Sequence, residues 1–319
     1  MLAYTVRRIL WIIPVLWAIA TLTFFMMKAI PGGPFVQDKT RPESAERAIQ
    51  AKYGFDQPIW EQYGRYMWNL LHFDLGISFF SGNRDVVDII RERGFISLQI
   101  AVLCMIVAVT IGLVFGTISA LNHNGPFDYA GVLFATIGAS VPHFVLGALL
   151  SIIFAVKLGW LKILGWGGPE RASDIFNPDA YDWTKMIIPV VALSMLPAAY
   201  IARVTRASML EVLNQDYIRT ARAKGLAEQR VVVRHAIKNA MIPVLTVIGP
   251  IAAILLSGSF IIETMFGISG LGRESIMSIQ RRDYGVIMGT TLVYALIVSL
   301  ATLFVDLMYA VVDPRIRYR

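Results

Sequence analysis

The sequence predicts an all-α membrane protein with six transmembrane helices and a small folded cap on its outer side, between the first helix and the second. Three observations carry that prediction. Hydrophobic residues fill 56% of the 319 positions and charged residues only 16%, against roughly 25% charged in an average soluble domain. The apolar residues are gathered into long runs without charge, which points to a single membrane domain of helices. The connections between those runs differ sharply in Lys and Arg content, as loops on the two sides of a bilayer do.

A helix needs about 20 apolar residues to cross a hydrocarbon core. Six stretches reach or approach that length: Ile9–Ile30, Phe95–Leu121, Tyr129–Val156, Met186–Ala202, Ala240–Ile262 and Gly285–Val305. The fourth is short and holds Pro189 and Pro197, which membrane helices tolerate where neighbours satisfy the freed carbonyls. Arg7 and Arg8 precede the first run in the manner of a signal peptide, but no Ala-x-Ala site follows it, so it is read as an uncleaved signal anchor. The chain then divides into an N-terminal region with the first helix (1–30), an extracytoplasmic segment (31–94), a five-helix core (95–312) with a cytoplasmic loop at 203–239, and a tail (313–319). The long outer segment carries Tyr53, Trp60, Tyr63, Tyr66 and Trp68, a composition that suits a folded cap whose aromatics anchor at the membrane surface.

Six spans put both termini on one side. With the N-terminus inside, Arg7 and Arg8, the +5 of residues 203–239 and the +1 of the tail from Asp306 are cytoplasmic, against −1 for residues 122–128. The outer segments 31–94, 157–185 and 263–284 carry −1, 0 and 0. Positive loops are retained in the cytoplasm, so both termini are expected there.

Enzyme chemistry finds no footing. There is no G-x-x-x-x-G-K-[ST] loop, Gly270-Leu271-Gly272 lacks the third glycine of a dinucleotide fingerprint, and His72, His123, His143 and His235 are too scattered for a zinc helix. Cys104 is the single cysteine, which excludes an intrachain disulfide. No catalytic residue, cofactor or metal is expected. Acids and bases are missing from the middle of every span, with Lys28 and Asp306 at span ends, so an ion-coupled secondary transporter is disfavoured and energy for any transport must come from elsewhere. Most Ser and Thr of the spans are expected to serve close helix packing. Ser140, Ser194, Ser257 and Ser259, with Glu263 beyond the fifth span, are the candidates for a polar translocation path. His143 joins them, or bonds a carbonyl freed by Pro142.

The loop 203–239 holds eight Lys or Arg against Glu211, Asp216 and Glu228. It is organised as well as basic. Ser208 to Lys224 reads as one helix, Gly225 suits a helix stop, and Ala227 to Lys238 reads as a second helix with Val231 to Val233 available for packing. A helix pair held between two spans suits docking to a soluble protein; the same position argues against nucleic acid.

Within this loop, Arg219-Thr220-Ala221, Gly225 and Ala240-Met241-Ile242-Pro243 resemble the E-A-A, Gly, I-x-L-P pattern in permease subunits of ATP-binding cassette importers. The Glu is replaced and the spacer is longer, as in the peptide and nickel branch, which the run Asp216-Tyr217-Ile218-Arg219-Thr220-Ala221-Arg222-Ala223-Lys224-Gly225-Leu226 and the pairs His235-Ala236 and Asn239-Ala240 also resemble. Further matches to the B-type dipeptide and oligopeptide permeases are Ile30-Pro31-Gly32, Gln57-Pro58 with Gln62-Tyr63, Asp74-Leu75-Gly76-Ile77-Ser78, Glu263-Thr264 with Phe266, Gly270-Leu271-Gly272, Arg281-Arg282-Asp283-Tyr284 and Asp313-Pro314-Arg315. Gly33 stands where that family usually has Asp. The resemblance implies a MetI-like type I importer permease fold in the bacterial inner membrane. It implies a heterodimer with a second permease, two cytoplasmic ATPases and an extracytoplasmic solute-binding protein, all around a lipid-embedded, non-catalytic chain. It assigns ATPase coupling to Asp216, Tyr217, Arg219, Thr220, Ala221, Arg222, Lys224, Gly225, Leu226, His235 and Asn239. Its substrates are di- or oligopeptides, with nickel chelates or glutathione as alternatives carried by related permeases.

Overall fold

The structure, a computed structural model, describes residues 2–30, 54–256 and 260–312. Among them the regular elements are helices, and an isolated bridge joins Ile77 to Asp85. In chain order they are α1 (Leu2–Ala29), α2 (Ile59–Leu71), α3 (Val86–Leu121), α4 (Pro126–Ser140), α5 (His143–Lys157), α6 (Trp183–Leu213), α7 (Asp216–Ala223), α8 (Glu228–Leu256), α9 (Phe260–Met265), α10 (Leu271–Arg281) and α11 (Tyr284–Val312). Helices α1, α3, α6, α8 and α11 are each long and apolar enough to cross a bilayer, and α4 and α5 together meet the same measure as a bent pair, which makes six spans if the pair is counted as one. Two extra helices sit at the end of the bundle opposite the 203–239 loop: α2, and α10 after the fifth span.

The third span differs from the single run expected. It bends by 106° between α4 and α5. Pro142 is the cause: it has no N–H to continue the ladder, and its ring forces the preceding residue out of the helical region, so Val141 sits at φ −87°, ψ 120°. The fourth span, by contrast, runs unbroken through Pro189 and Pro197 and continues to Leu213. At its start the Asp182 carboxylate accepts from Thr184 Oγ1 at 2.5 Å and Lys162 Nζ at 2.9 Å, and these two bonds hold its carboxyl down at about 2. Helix α3 likewise begins at Val86, well before the apolar run that starts at Phe95. Hydropathy marks where lipid contact ends, and the backbone ladder need not stop there.

The core is built on α3 and α6. Ile100, Cys104 and Ala108 of α3 pack with Ile188, Ala192 and Ile201 of α6, Val244 and Ile251 of α8, and Phe266. The two long helices approach closely through small residues four apart, Gly112 and Gly116 on α3 against Ala198 and Ala202 on α6, an arrangement that favours van der Waals contact in lipid. A Cβ added at Gly116 would lie 2.6 Å from the Ala202 carbonyl oxygen, whereas one added at Gly94 of the same helix would meet no atom within 4 Å. Alanine is favoured over glycine in a helix interior by about 0.5–1 kcal/mol, so Gly94→Ala should be neutral or stabilising. Gly116→Ala should instead lose about 1–3 kcal/mol to overpacking. Thermal unfolding midpoints of the purified variants in detergent check this, and equal midpoints would contradict the close contact.

At the α2 end, the segments 74–78 and 281–284 meet. Ser78 Oγ donates to Asp283 Oδ2 at 2.5 Å and the Phe79 N–H donates to Oδ1 at 3.3 Å. Arg282 takes a left-handed conformation, φ 56°, to end α10 and aim Asp283 inward. Val86, Ile89 and Val286 close the contact with a small apolar cluster.

Candidate functional site

The 203–239 loop folds into a compact unit. The single helix expected over Ser208–Lys224 is two helices, because α6 ends at Leu213 and Gln215 is extended at φ −72°, ψ 149°. Asn214 turns its amide back on the Leu210 carbonyl at 2.9 Å, and local bonds of this kind compete with helix continuation. Helix α7 is amphipathic, with Ile218 and Ala221 buried and Asp216, Tyr217, Arg219, Thr220, Arg222 and Lys224 exposed. Its end is a Schellman turn: the Gly225 N–H donates to the Arg222 carbonyl at 2.9 Å and the Leu226 N–H to the Ala221 carbonyl at 3.4 Å. Gly225 stands at φ 74°, so the helix stop read from the sequence is present. Leu226 packs into a core made by Ile218, Ala221, Val231, Val232, Ala236 and Ala240 together with Ala120 of α3 and Met209 of α6. Of the valine triplet, Val231 and Val232 are buried while Val233 is 60% exposed; successive helical residues stand about 100° apart and cannot all face one core.

Polar bonds tie the second helix to the first. Arg222 grips Glu228 through two bonds of 2.7 and 3.1 Å. Asn239 Nδ2 donates to Tyr217 Oη at 2.8 Å and to the His235 carbonyl at 3.0 Å. The result is a compact block packed against α3 and α6 and continuous with α8, with its charged side chains exposed.

Directly beside it is an ion pair that sequence reading did not single out, having counted Asp128 only as a loop charge. Arg206 Nε and its terminal nitrogen donate to the two oxygens of Asp128 at 2.6 and 2.8 Å. Asp128 is 3% exposed, and it also accepts from Ser119 Oγ and from the Asn124 N–H at 2.9 Å. Asp128 lies in the first turn of α4, where a carboxylate is favoured by the helix dipole. The available signals were an acid immediately before a predicted span and an Arg just past the exit of another.

At the opposite end Glu263 is 1% exposed. Its carboxylate accepts from Ser97 Oγ at 2.8 Å and from the Arg273 N–H at 3.0 Å, while Ser97 Oγ accepts from the Leu271 N–H at 2.8 Å. This places the Glu263 carboxyl group on the N-terminus of α10, and a Cβ on Gly272 would come within 2.9 Å of it. The Glu263 and Gly270-Leu271-Gly272 motifs thus form one structure.

A groove of about 1170 Å³ opens between α3, α8 and α11. Its walls include Phe95, Leu98, Gly249, Ala252, Leu256 and Leu300, and Asp88, Arg91, Glu170 and Arg171 stand around it. Of the residues expected to line a path, the described ones, Ser140, His143, Ser194 and Glu263, are not among those that wall this groove. Ser140 is exposed at the end of α4, and His143 is half-buried with its ring edge-on to Phe144. Ser194 is buried and bonds the Val191 carbonyl at 3.2 Å. Ser257 and Ser259 fall outside the described residues.

Over residues 112–318 the chain matches the family of binding-protein-dependent transport system inner membrane components, and over residues 1–101 the N-terminal region of such membrane components. It belongs to this family. The dipeptide transport system permease DppB of Bacillus subtilis is 41% identical over 318 residues, covering 99% of this chain and 98% of that one. The oligopeptide permeases OppB of Escherichia coli and Haemophilus influenzae are 39% and 36% identical, each over the full length of both chains. Solved relatives share the fold: the MetNI methionine ABC transporter in an inward-facing conformation, TM-score 0.55 at 18% identity over 70% of this chain and 96% of that one, and an amino acid ABC transporter, 0.52 at 16% over 70% and 93%. The chain is a membrane component of a binding-protein-dependent transport system with the type I importer permease fold.

Proposed function

We infer that this permease imports di- or oligopeptides, pairing with a second permease in the inner membrane and drawing energy from two ATPases that dock on the cytoplasmic face of α7. Both termini are cytoplasmic, and an external binding protein delivers substrate to the α2 end. One observation carries the reading: a block with its own apolar core presents exposed charges to the side while continuing directly into α6 and α8. A push on α7 is therefore a push on two spans. Helix α8 also walls the 1170 Å³ groove, which serves as this chain's half of the translocation path and opens alternately to each side as the spans tilt. The peptide substrate is supported by the dipeptide and oligopeptide permeases that the chain matches over nearly its whole length.

The test is uptake by proteoliposomes holding the complex. Labelled di- and tetrapeptides should accumulate only with binding protein and ATP, and this chain alone should hydrolyse no ATP; uptake driven by an ion gradient without ATP would overturn the reading. Orientation is checked in intact cells with cysteines at Ser173 and Ala223, both exposed. Ser208 lies in the same loop but is buried and would report nothing. An impermeant maleimide should reach position 173 and not 223, and the reverse would invert the topology.

A further inference from the structure

Helix α2 divides its surface in three. On a wheel of about 100° per residue, Ile59, Tyr63, Tyr66 and Leu70 form one arc, Trp60, Gly64, Met67, Trp68 and Leu71 the next, and Glu61, Arg65, Asn69 and His72 the third. The first arc packs on α1. Tyr63 Oη lies 2.8 Å from Thr21 Oγ1, the Tyr66 ring stacks on Phe24 at 5.5 Å, and Tyr63 stacks on Phe25 at 5.5 Å. The second arc is apolar and open: Trp60 is 75% exposed, Trp68 64% and Leu71 74%, and Phe73 just beyond it is 88% exposed.

The contacts with α1 set the height of α2. At about 1.5 Å per residue, Thr21 lies about 12 Å along the axis below Ala29 at the outer end of α1. The membrane-spanning part of α1 is Thr5–Ala29, centred on residue 17, so Thr21 stands only about 6 Å from its middle, inside a half-core of about 15 Å. Leu22 and Met26, within the stretch of α1 that α2 contacts, are themselves 62% and 56% exposed and face lipid as part of a spanning helix. The open arc of α2 continues that surface. Its third arc carries the charges, the segregation that holds a helix in the plane of a membrane surface, and Trp is the residue enriched at that level. Lys28 is held beside it by Gln62 Oε1 and by the Phe55 ring at 4.5 Å, at headgroup height.

We propose that α2 is an interfacial helix, lying in the outer leaflet at the boundary of headgroups and acyl chains with Trp60, Gly64, Met67, Trp68 and Leu71 in lipid. It fixes the membrane depth of the outer segment and of the Asp283 contact that follows α2 in the chain. The occupant of the open arc is phospholipid.

Spin labels on the complex, reconstituted in vesicles of phosphatidylethanolamine and phosphatidylglycerol, decide it. Gly64→Cys is a suitable site, since an added Cβ meets no atom within 4 Å; Leu71→Cys is the second, and Glu61→Cys the water-facing reference. The native Cys104 is buried and stays unlabelled. Labels at 64 and 71 should collide severalfold more with oxygen than with a water-soluble nickel chelate, and the label at 61 should show the reverse. Nickel accessibility at 64 and 71 equal to that at 61 would overturn the proposal in favour of a wet surface. Labels at 64 and 71 shielded from both reagents would overturn it in favour of a protein on the arc.

Discussion

Replacing Arg206 with Ala is expected to destabilise the folded chain by about 3–5 kcal/mol, the usual result of removing one partner from a buried ion pair. Asp128 is 3% exposed, and its remaining donors, Ser119 and the Asn124 amide, do not carry a full positive charge. Asp128→Ala should cost somewhat less, because Arg206 is 27% exposed at its side chain and reaches water more easily. Removing both charges with Asp128→Leu and Arg206→Met together should restore much of the loss, since the desolvation cost goes with the attraction. A double-mutant cycle on thermal unfolding midpoints and membrane abundance measures the coupling; additive single effects would show that the pair is not a unit. The pair also borders the block formed by α7 and the start of α8. Ala120 follows Ser119, and Met209 lies one helical turn beyond Arg206, and both belong to that block's apolar core. The single variants are therefore also expected to uncouple ATP hydrolysis from uptake at whatever level they accumulate.

Gly225→Val is expected to abolish uptake while leaving membrane levels near normal. Gly225 holds φ 74°, and a left-handed conformation costs a residue with a Cβ roughly 1–2 kcal/mol, with a β-branched residue a genuine outlier there. No atom lies within 4 Å of an added Cβ, so the effect is conformational and not a clash. The chain relieves it by opening the Schellman turn, which swings α7 and its charged face relative to α8. Asn tolerates the left-handed region, so Gly225→Asn should keep most activity. Arg222→Ala removes a pair whose side chains are 43% and 57% exposed, worth about 1 kcal/mol or less, and should do little. Uptake and ATPase stimulation of the assembled complex rank the three; a fully active Gly225→Val complex would show that the turn transmits nothing.

The lipid-facing spans were legible without a structure, because a run of about 20 apolar residues has few other uses and each helix satisfies its own backbone. The stop at Gly225 was legible for a related reason: a local conformation that only glycine adopts freely leaves its mark on one position. Hydropathy found the middle of α3 and α6 but not their ends at Val86 and Leu213, since helices continue into water without changing their hydrogen bonding. It joined α4 to α5 across Pro142, where composition is uniformly apolar and only the backbone breaks. Ser194 satisfies its hydroxyl on its own helix, and the groove is walled mainly by apolar residues of three helices far apart in sequence. Asp128 with Arg206, 78 residues apart, and Ser78 with Asp283, 205 apart, carry no local pattern. The sequence alone determined the membrane class, the spans and the helix, glycine, helix order of the loop, because each depends on neighbours along the chain. Which charges are buried, which helices meet through glycine, and the height at which α2 rests on α1 were decided by tertiary structure, because those properties depend on partners that only the folded chain brings together.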